Sequence, residues 1–413
     1  MANASNTLLT DDIITNEALA VLRNQFVLGS RAIRPVDSLF GKTGMKAGDT
    51  IRVRVPVRYT SATGAAVNKQ NSVETNTTIQ LIQRNIGMGF SSKDLTLSID
   101  DFSSRFVAPA MAQLASDIDQ DGFALYYKAT NLVTPGAYTA GVPAAFTGAD
   151  VATLRPFLDA GARLTEQAAP IDEERYVALT PSANAGVVDG LKGLFQSASD
   201  IADQYKRGLM GVGAGFQWCV SQCLPSFTTG TRTNVTPLID GAQTGASILL
   251  KGTGVSVTAT KGDQFTIAGV YAINPLTRVA TNKLQVFTVQ ALATGTAGGA
   301  MTVTVAPSIN VTAPNQTVSA GAADGAAVTW IGAAAVTAEV NVAWHKNAIM
   351  VAFCGLDGDL PGAIASVATD PESGISVRLV KQYNAETDEV VNRLDVLYGW
   401  QVVRPSLMVR VQG

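Results

Sequence analysis

The sequence predicts an α+β protein with an all-β module set into it, and three observations carry that prediction. Apolar residues recur at helical spacing over 106–131. Period-two alternation marks a strand at 51–59, and strand patterns return at 176–179, 375–380 and 394–398. From 225 to about 343, helical texture gives way to short alternating runs rich in Thr, Gly, Ala and Val, such as Val255-Ser256-Val257-Thr258 and Met301-Thr302-Val303-Thr304-Val305.

Taken in order, residues 1–35 read as an arm, because Ile13, Ile14, Leu19, Leu22 and Phe26 have the spacing of an amphipathic helix. The strand at 51–59 contains Pro56, which lacks an amide donor and so favours a sheet edge. After a polar stretch a second extended run, 78–88, returns through Ile79, Leu81, Ile82 and Ile86, and together they predict a long hairpin within 50–90. A two-stranded hairpin is not stable alone in water, so a neighbouring copy is its natural support.

The helix at 106–131 presents Val107, Met111, Leu114, Ile118, Leu125 and Ala129 on one face, with Pro109 in its first turn. About 25 residues at 1.5 Å each give a rod of roughly 37 Å. Asn131 and the Pro135-Gly136 turn mark its end. A helix at 151–167, the strand at 176–179 and a helix after Pro181 continue the α+β body, which resumes at Asn341 beyond the β module.

With 413 residues the chain should hold two or three compact units. Its 46% hydrophobic and 15% charged residues and net charge of -3 describe a globular protein. No cluster of Lys and Arg points to tight nucleic-acid binding. The N-terminal residues lack the pattern of an export signal, and no apolar run reaches the roughly 18 residues of a membrane span. Three cysteines, an odd number, make no disulfide framework and suit a reducing compartment; the expectation is a soluble, cytoplasmic chain.

Several motifs imitate catalytic or ligand sites. Asp117, Asp119, Asp121 and Gly122 open like a calcium loop, but Lys128 stands where the closing glutamate belongs, so a solvated acidic helix face is expected. Gly211, Gly213 and Gly215 lack the preceding strand and following acid of a dinucleotide loop and read as a flexible loop. Gly41-Lys42-Thr43 ends like a phosphate loop whose first glycine is replaced by Val36, and reads as a turn. Cys219 and Cys223 would share a helix face, but His345 is the single histidine and zinc needs more ligands, so buried or interfacial thiols are expected. Glu173 and Glu174 read as solvated loop acids. The expectation is no catalytic residue, no cofactor, no metal and no enzyme activity.

The stretch 261–270, KGDQFTIAGV, followed by Asn274, Pro275 and the strand 284–289, resembles the inserted domain of the major capsid protein of short-tailed Salmonella-type phages and their relatives. The closing stretch 394–405, with Tyr398-Gly399 and Arg404-Pro405, and Asn341-Val342-Ala343-Trp344 are similar to the same coat proteins. The likeness is strongest over 225–413, and earlier residues follow it in the order of elements.

The resemblance implies the tailed-phage capsid fold shared with herpesvirus shells. In its terms 50–90 is an extended loop reaching over a neighbour. Residues 91–224 make a peripheral domain, with a spine helix at about 103–131, and the first part of an axial domain. Residues 225–343 are an inserted β-barrel, and 344–413 complete the axial and peripheral domains. The barrel's loop across the local two-fold axes would fall at about 235–254, with Asp240 and Lys251 as charged contacts.

The function implied is a structural subunit that assembles with itself as pentamers and hexamers into an icosahedral shell around the phage genome. Partners would be a scaffolding protein, a portal and double-stranded DNA touched weakly, with no membrane; the place would be the virion capsid, assembled in the bacterial cytoplasm. The side of the hairpin strand carrying Arg52, Arg54 and Arg58 should meet an acidic neighbour. Other readings are a surface adhesin or carbohydrate-binding module, suggested by the Thr-rich β region, a dinucleotide enzyme, and the shell of a cellular nanocompartment.

Overall fold

The computed structural model describes residues 11–34, 50–61, 63–65, 69–70, 75–91, 103–191, 211–232, 236–371 and 374–413. The Gly41-Lys42-Thr43 turn and Val235 lie outside them. The chain divides into two compact units: Met1–Arg54, Asn76–Gly122 and Ile349–Gln401 form the first, and Val55–Thr75, Phe123–Ala348 and Val402–Gly413 the second.

The first unit is built on the long strand Glu389–Val402. It pairs antiparallel with Ser376–Asn384 on one flank and with Ile82–Ser91 on the other; Ile364–Thr369 and Ile349–Cys354 complete the sheet. Leu394, Val396 and Tyr398 alternate along the strand and are fully buried, as period two requires. The helix Ala108–Phe123 contributes Met111, Leu114, Ala115 and Ile118 to the same unit's core. A Cβ added at Gly122 would stand 2.5 Å from Leu28 and 2.8 Å from Trp400, so glycine is what permits this approach.

Two expectations change here. The second arm of the hairpin splits at Leu81: Thr75–Gln80 pairs with Thr50–Val55, while Ile82–Ser91 joins the larger sheet. A ladder from Ile82↔Tyr398 to Ser91↔Glu389 outcompetes the local partner. The helix expected over 106–131 is α-helical at Ala108–Phe123, preceded by the π turn Ser103–Val107 and followed by the 3-10 turn Ala124–Lys128; Asn131 already opens a strand. Within the stretch read as an arm, the helix Asp11–Gln25 packs on Ile364–Thr369 and Ser376–Asn384 of its own chain, with Ala18 and Leu22 fully buried.

The second unit holds two six-stranded sheets. One runs Asn131–Val133, Met408–Val411, Asn341–His345, Arg175–Leu179, Phe216–Val220 and Val212–Gly213. It is mixed: the first two strands pair parallel, as do Arg175–Leu179 and Phe216–Val220. Helix Arg155–Glu166 covers it. The glycines at 211–215 form a tight hairpin rather than a loop, with Ala214 at φ 54° and Gly215 at φ 78° turning the chain.

The other sheet is antiparallel, in the order Val328–Trp330, Gln264–Ile273, Ala280–Val289, Met301–Ile309, Gly245–Lys251 and Leu238–Ile239. Its two ends meet: Ile239 N–H donates to Ala326 O at 3.0 Å and Val328 N–H to Pro237 O at 2.8 Å. Inside lie Ile248, Leu250, Phe265, Ile267, Phe287, Val289, Val303 and Trp330. The run 255–258 is not a strand; Ser256 sits at φ 57° and only Thr258–Ala259 pairs. Where the chain enters and leaves, Ser226–Thr228 pairs antiparallel with Thr337–Glu339.

Candidate assembly surfaces

On the strand Thr50–Val55, Ile51 is buried while Arg52 and Arg54 are exposed, so alternation puts both guanidiniums on one face. Pro56 follows the last strand residue and Arg58 lies beyond it, so the common face expected for three arginines carries two. Arg58 belongs to the second unit. Its residue is exposed but its guanidinium is partly enclosed: burial, then Arg404 and Arg278, pull it below the usual arginine range.

Asp240 opens the turn between the paired strands Leu238–Ile239 and Gly245–Lys251, and Lys251 ends the second of them, so the two are neighbours. Lys251 Nζ is 2.9 Å from Asp324 Oδ1 and 3.5 Å from Asp240 Oδ1. Asp324, far away in sequence and given no role by it, is the nearer partner and also accepts from Gly241 N–H at 2.8 Å. Its contact with Lys251 holds the ammonium above its usual value and the Asp324 carboxyl below its own. The cluster is exposed and carries one cation against two anions.

The acidic run in the helix is only partly solvated: the side chains of Asp117 and Asp121 are 29% exposed and pair with Arg84, while Asp119 is enclosed. Asp119 is 2% exposed, and its carboxylate accepts from the backbone N–H groups of Val27, Leu28 and Gly29 at 2.6, 3.2 and 3.1 Å. Burial pushes it up to about 6, against the pull of those bonds and of Arg31. Asp121 takes two hydrogen bonds from Arg84 Nη2, at 2.8 Å each, and another from the Tyr398 hydroxyl.

Among the described residues one group has metal-ligand chemistry, Asp172, Glu174 and His345. Its hydrogen bonds oppose that role. His345 Nδ1 accepts from Asn347 N–H at 3.1 Å, which places the proton of the neutral ring on Nε2, facing Asp172 at 3.1 Å. The same bonding removes Nε2 as a lone-pair donor, and Lys346 Nζ holds Glu174. Glu174 is thus ion-paired rather than freely solvated. Cys219 is buried on a strand with Sγ 3.2 Å from Val177 O, and Cys223 lies in the turn beyond, so no helix face joins them.

Buried charge is concentrated at the root of the antiparallel sheet. Arg232 Nη1 is 2.7 Å from Asp263 Oδ1, both side chains almost wholly enclosed. Arg410 is fully buried, donates to Gly262 O at 2.6 Å, and lies over the rings of Tyr126 and Phe227. Burial draws its guanidinium down to about 10.

Over its whole length, residues 1–413, the chain matches the profile of a coat-protein family, which makes it a structural shell protein by class. The family is described as P22 coat protein, gene protein 5, and the chain belongs to it; it is a structural major capsid protein. No curated protein sequence matches it. Among solved structures, the capsid of Ralstonia phage GP4 is similar at 9% identity, covering 100% of this chain and 94% of that one, with a TM-score of 0.46. Mycobacterium phage Che8 is similar at 12% identity, 94% and 90% coverage and a TM-score of 0.43. A virus-like particle from Pyrococcus furiosus shows 8% identity, 96% and 97% coverage and a TM-score of 0.37.

Proposed function

We propose that this chain builds an icosahedral wall of pentamers and hexamers around a phage genome. The observation that carries the reading is the family match across all 413 residues. The work is geometric rather than catalytic: heterologous contacts close into a shell, and many modest interfaces sum through effective concentration. The near-neutral charge suits a wall that touches double-stranded DNA weakly. A scaffolding protein and a portal complete the assembly, which takes place in the bacterial cytoplasm.

The sheet whose ends meet, with its own core, supports reading 225–343 as an inserted β-barrel. The helical stretch Ala108–Phe123 with its flanking turns supports the spine of a peripheral domain. Arg52 and Arg54 form the face that meets an acidic neighbour, and the Asp240, Lys251 and Asp324 cluster is the charged part of the two-fold contact. The test is charge reversal. Arg52→Glu with Arg54→Glu is expected to abolish large particles in sedimentation and electron microscopy while circular dichroism shows a folded subunit; normal shells from the double variant would refute the contact.

A further inference from the structure

The turn between the strands Gln264–Ile273 and Ala280–Val289 closes on itself. Asn274 Oδ1 accepts from the backbone N–H groups of Leu276 and Thr277 at 2.9 and 3.1 Å. Arg278 N–H donates to Asn274 O at 2.8 Å, and Asn274 N–H to Val279 O at 3.1 Å. None of these bonds uses the Arg278 side chain, which reaches another part of the same compact unit: its Nη2 donates to Tyr59 O at 2.9 Å. One residue earlier, Arg58 shares the wall of a small cavity with Ile273 and Pro275, which adjoin the same turn. One residue later, Thr60 N–H donates to Gln70 Oε1 at 2.8 Å and Thr60 O accepts from Gln70 Nε2. The two limbs of the extended stretch are thus clasped next to the point that Arg278 holds.

Arg278 stands at φ 59°, in the left-handed region. At such a turn position glycine or asparagine is the natural occupant, because a Cβ and a long side chain are disfavoured there. The turn needs that conformation, but it does not need arginine. What arginine adds is a charged donor on a long stem, and a hydrogen bond from a charged donor is stronger than a neutral one. Its acceptor lies in a segment with no ladder of its own, since residues 56–61 form no strand.

We propose that Arg278 is a positioning residue for assembly: through Tyr59 it holds the outer part of the hairpin loop against the β module of its own chain and so fixes the direction in which the loop leaves the subunit. This rests on the reading of 50–90 as the loop that extends over a neighbour, and adds that its direction is set before any neighbour arrives. Without the bond the loop leaves at variable angles, subunits join unequally, and shells close irregularly.

The test separates the turn from the tether by Arg278→Gly in the full-length chain. Glycine accepts the left-handed conformation, so the variant should melt at the wild-type temperature or above it. In the monomeric subunit, amide hydrogens of 57–61 should exchange about fivefold or more faster by mass spectrometry. Particles recovered from expressing cells should be irregular in size by electron microscopy, and Arg278→Lys, which keeps a charged donor, should restore part of both effects. A merely structural side chain would instead lower the melting temperature and leave 57–61 unchanged. If the glycine variant fails to fold, Arg278→Asn, which also tolerates the conformation, is read in its place. Unchanged exchange at 57–61 overturns the tether, and faster exchange with wild-type particles overturns the positioning role. Wild-type chain that forms no closed particles, whatever its exchange, overturns the proposal through the reading of function beneath it.

Discussion

Two aspartates four residues apart on a helix share a face, and one midway between them points away. Asp117 and Asp121 accordingly both reach Arg84, at 3.5 and 2.8 Å, while Asp119 turns into the core and takes the backbone N–H groups after the N-terminal helix. The sequence placed these residues on a helix, and their split follows from that; what it could not show was a partner about ninety positions away. Raised to about 6 from an unfolded value near 3.9, Asp119 binds its proton more tightly in the folded state. Its contribution is therefore full below about pH 4 and lost as pH rises to about 6, a span on the order of 3 kcal/mol. Urea unfolding at a series of pH values should show the native chain losing stability relative to Asp119→Asn across that window; parallel profiles would refute it.

At the scale of elements, alternation marked most strands, though not at 255–258, and it did not mark their partners. Ile82–Ser91 is as regular as the hairpin strand before it, but its pairing lies some three hundred residues away on Glu389–Val402, and no local pattern encodes that choice. The ladder is reinforced across its face: Arg84, opposite Val396, donates from Nε to the Tyr398 hydroxyl at 2.8 Å while gripping Asp121. Burial and Asp121 push the Tyr398 phenol up, so it stays a donor across the working range. Because the side chains of Arg84 and Asp121 are 36% and 29% exposed, solvent screening limits what the ion pair contributes. A double-mutant cycle on Arg84→Ala and Asp121→Ala, read by chemical denaturation, should give a coupling of about 1 kcal/mol; additive losses would mean the two side chains act independently.

For the whole molecule, the α+β class, the β-rich stretch and the coat-protein likeness were all readable from residues, the last because short motifs such as 261–270 keep their order. The division into two units was not, since each draws on three separated stretches of chain. The antiparallel sheet and its core lie within residues 238–330, and the chain enters and leaves through adjacent strands. Residues 225–340 expressed alone should fold, giving one cooperative melt and dispersed amide signals in nuclear magnetic resonance; a broad, non-cooperative melt would show that the body outside those residues is needed.

The Thr228↔Thr337 register brings the two threonine hydroxyls within 2.8 Å of each other. Facing residues of an antiparallel ladder lie only about 5 Å apart, a gap that a two-residue reverse turn can span. That neck is a natural splice point: an ancestral shell protein could have gained or shed the whole module there without redirecting the chain on either side, and an engineer could graft a foreign fold onto the same stalk.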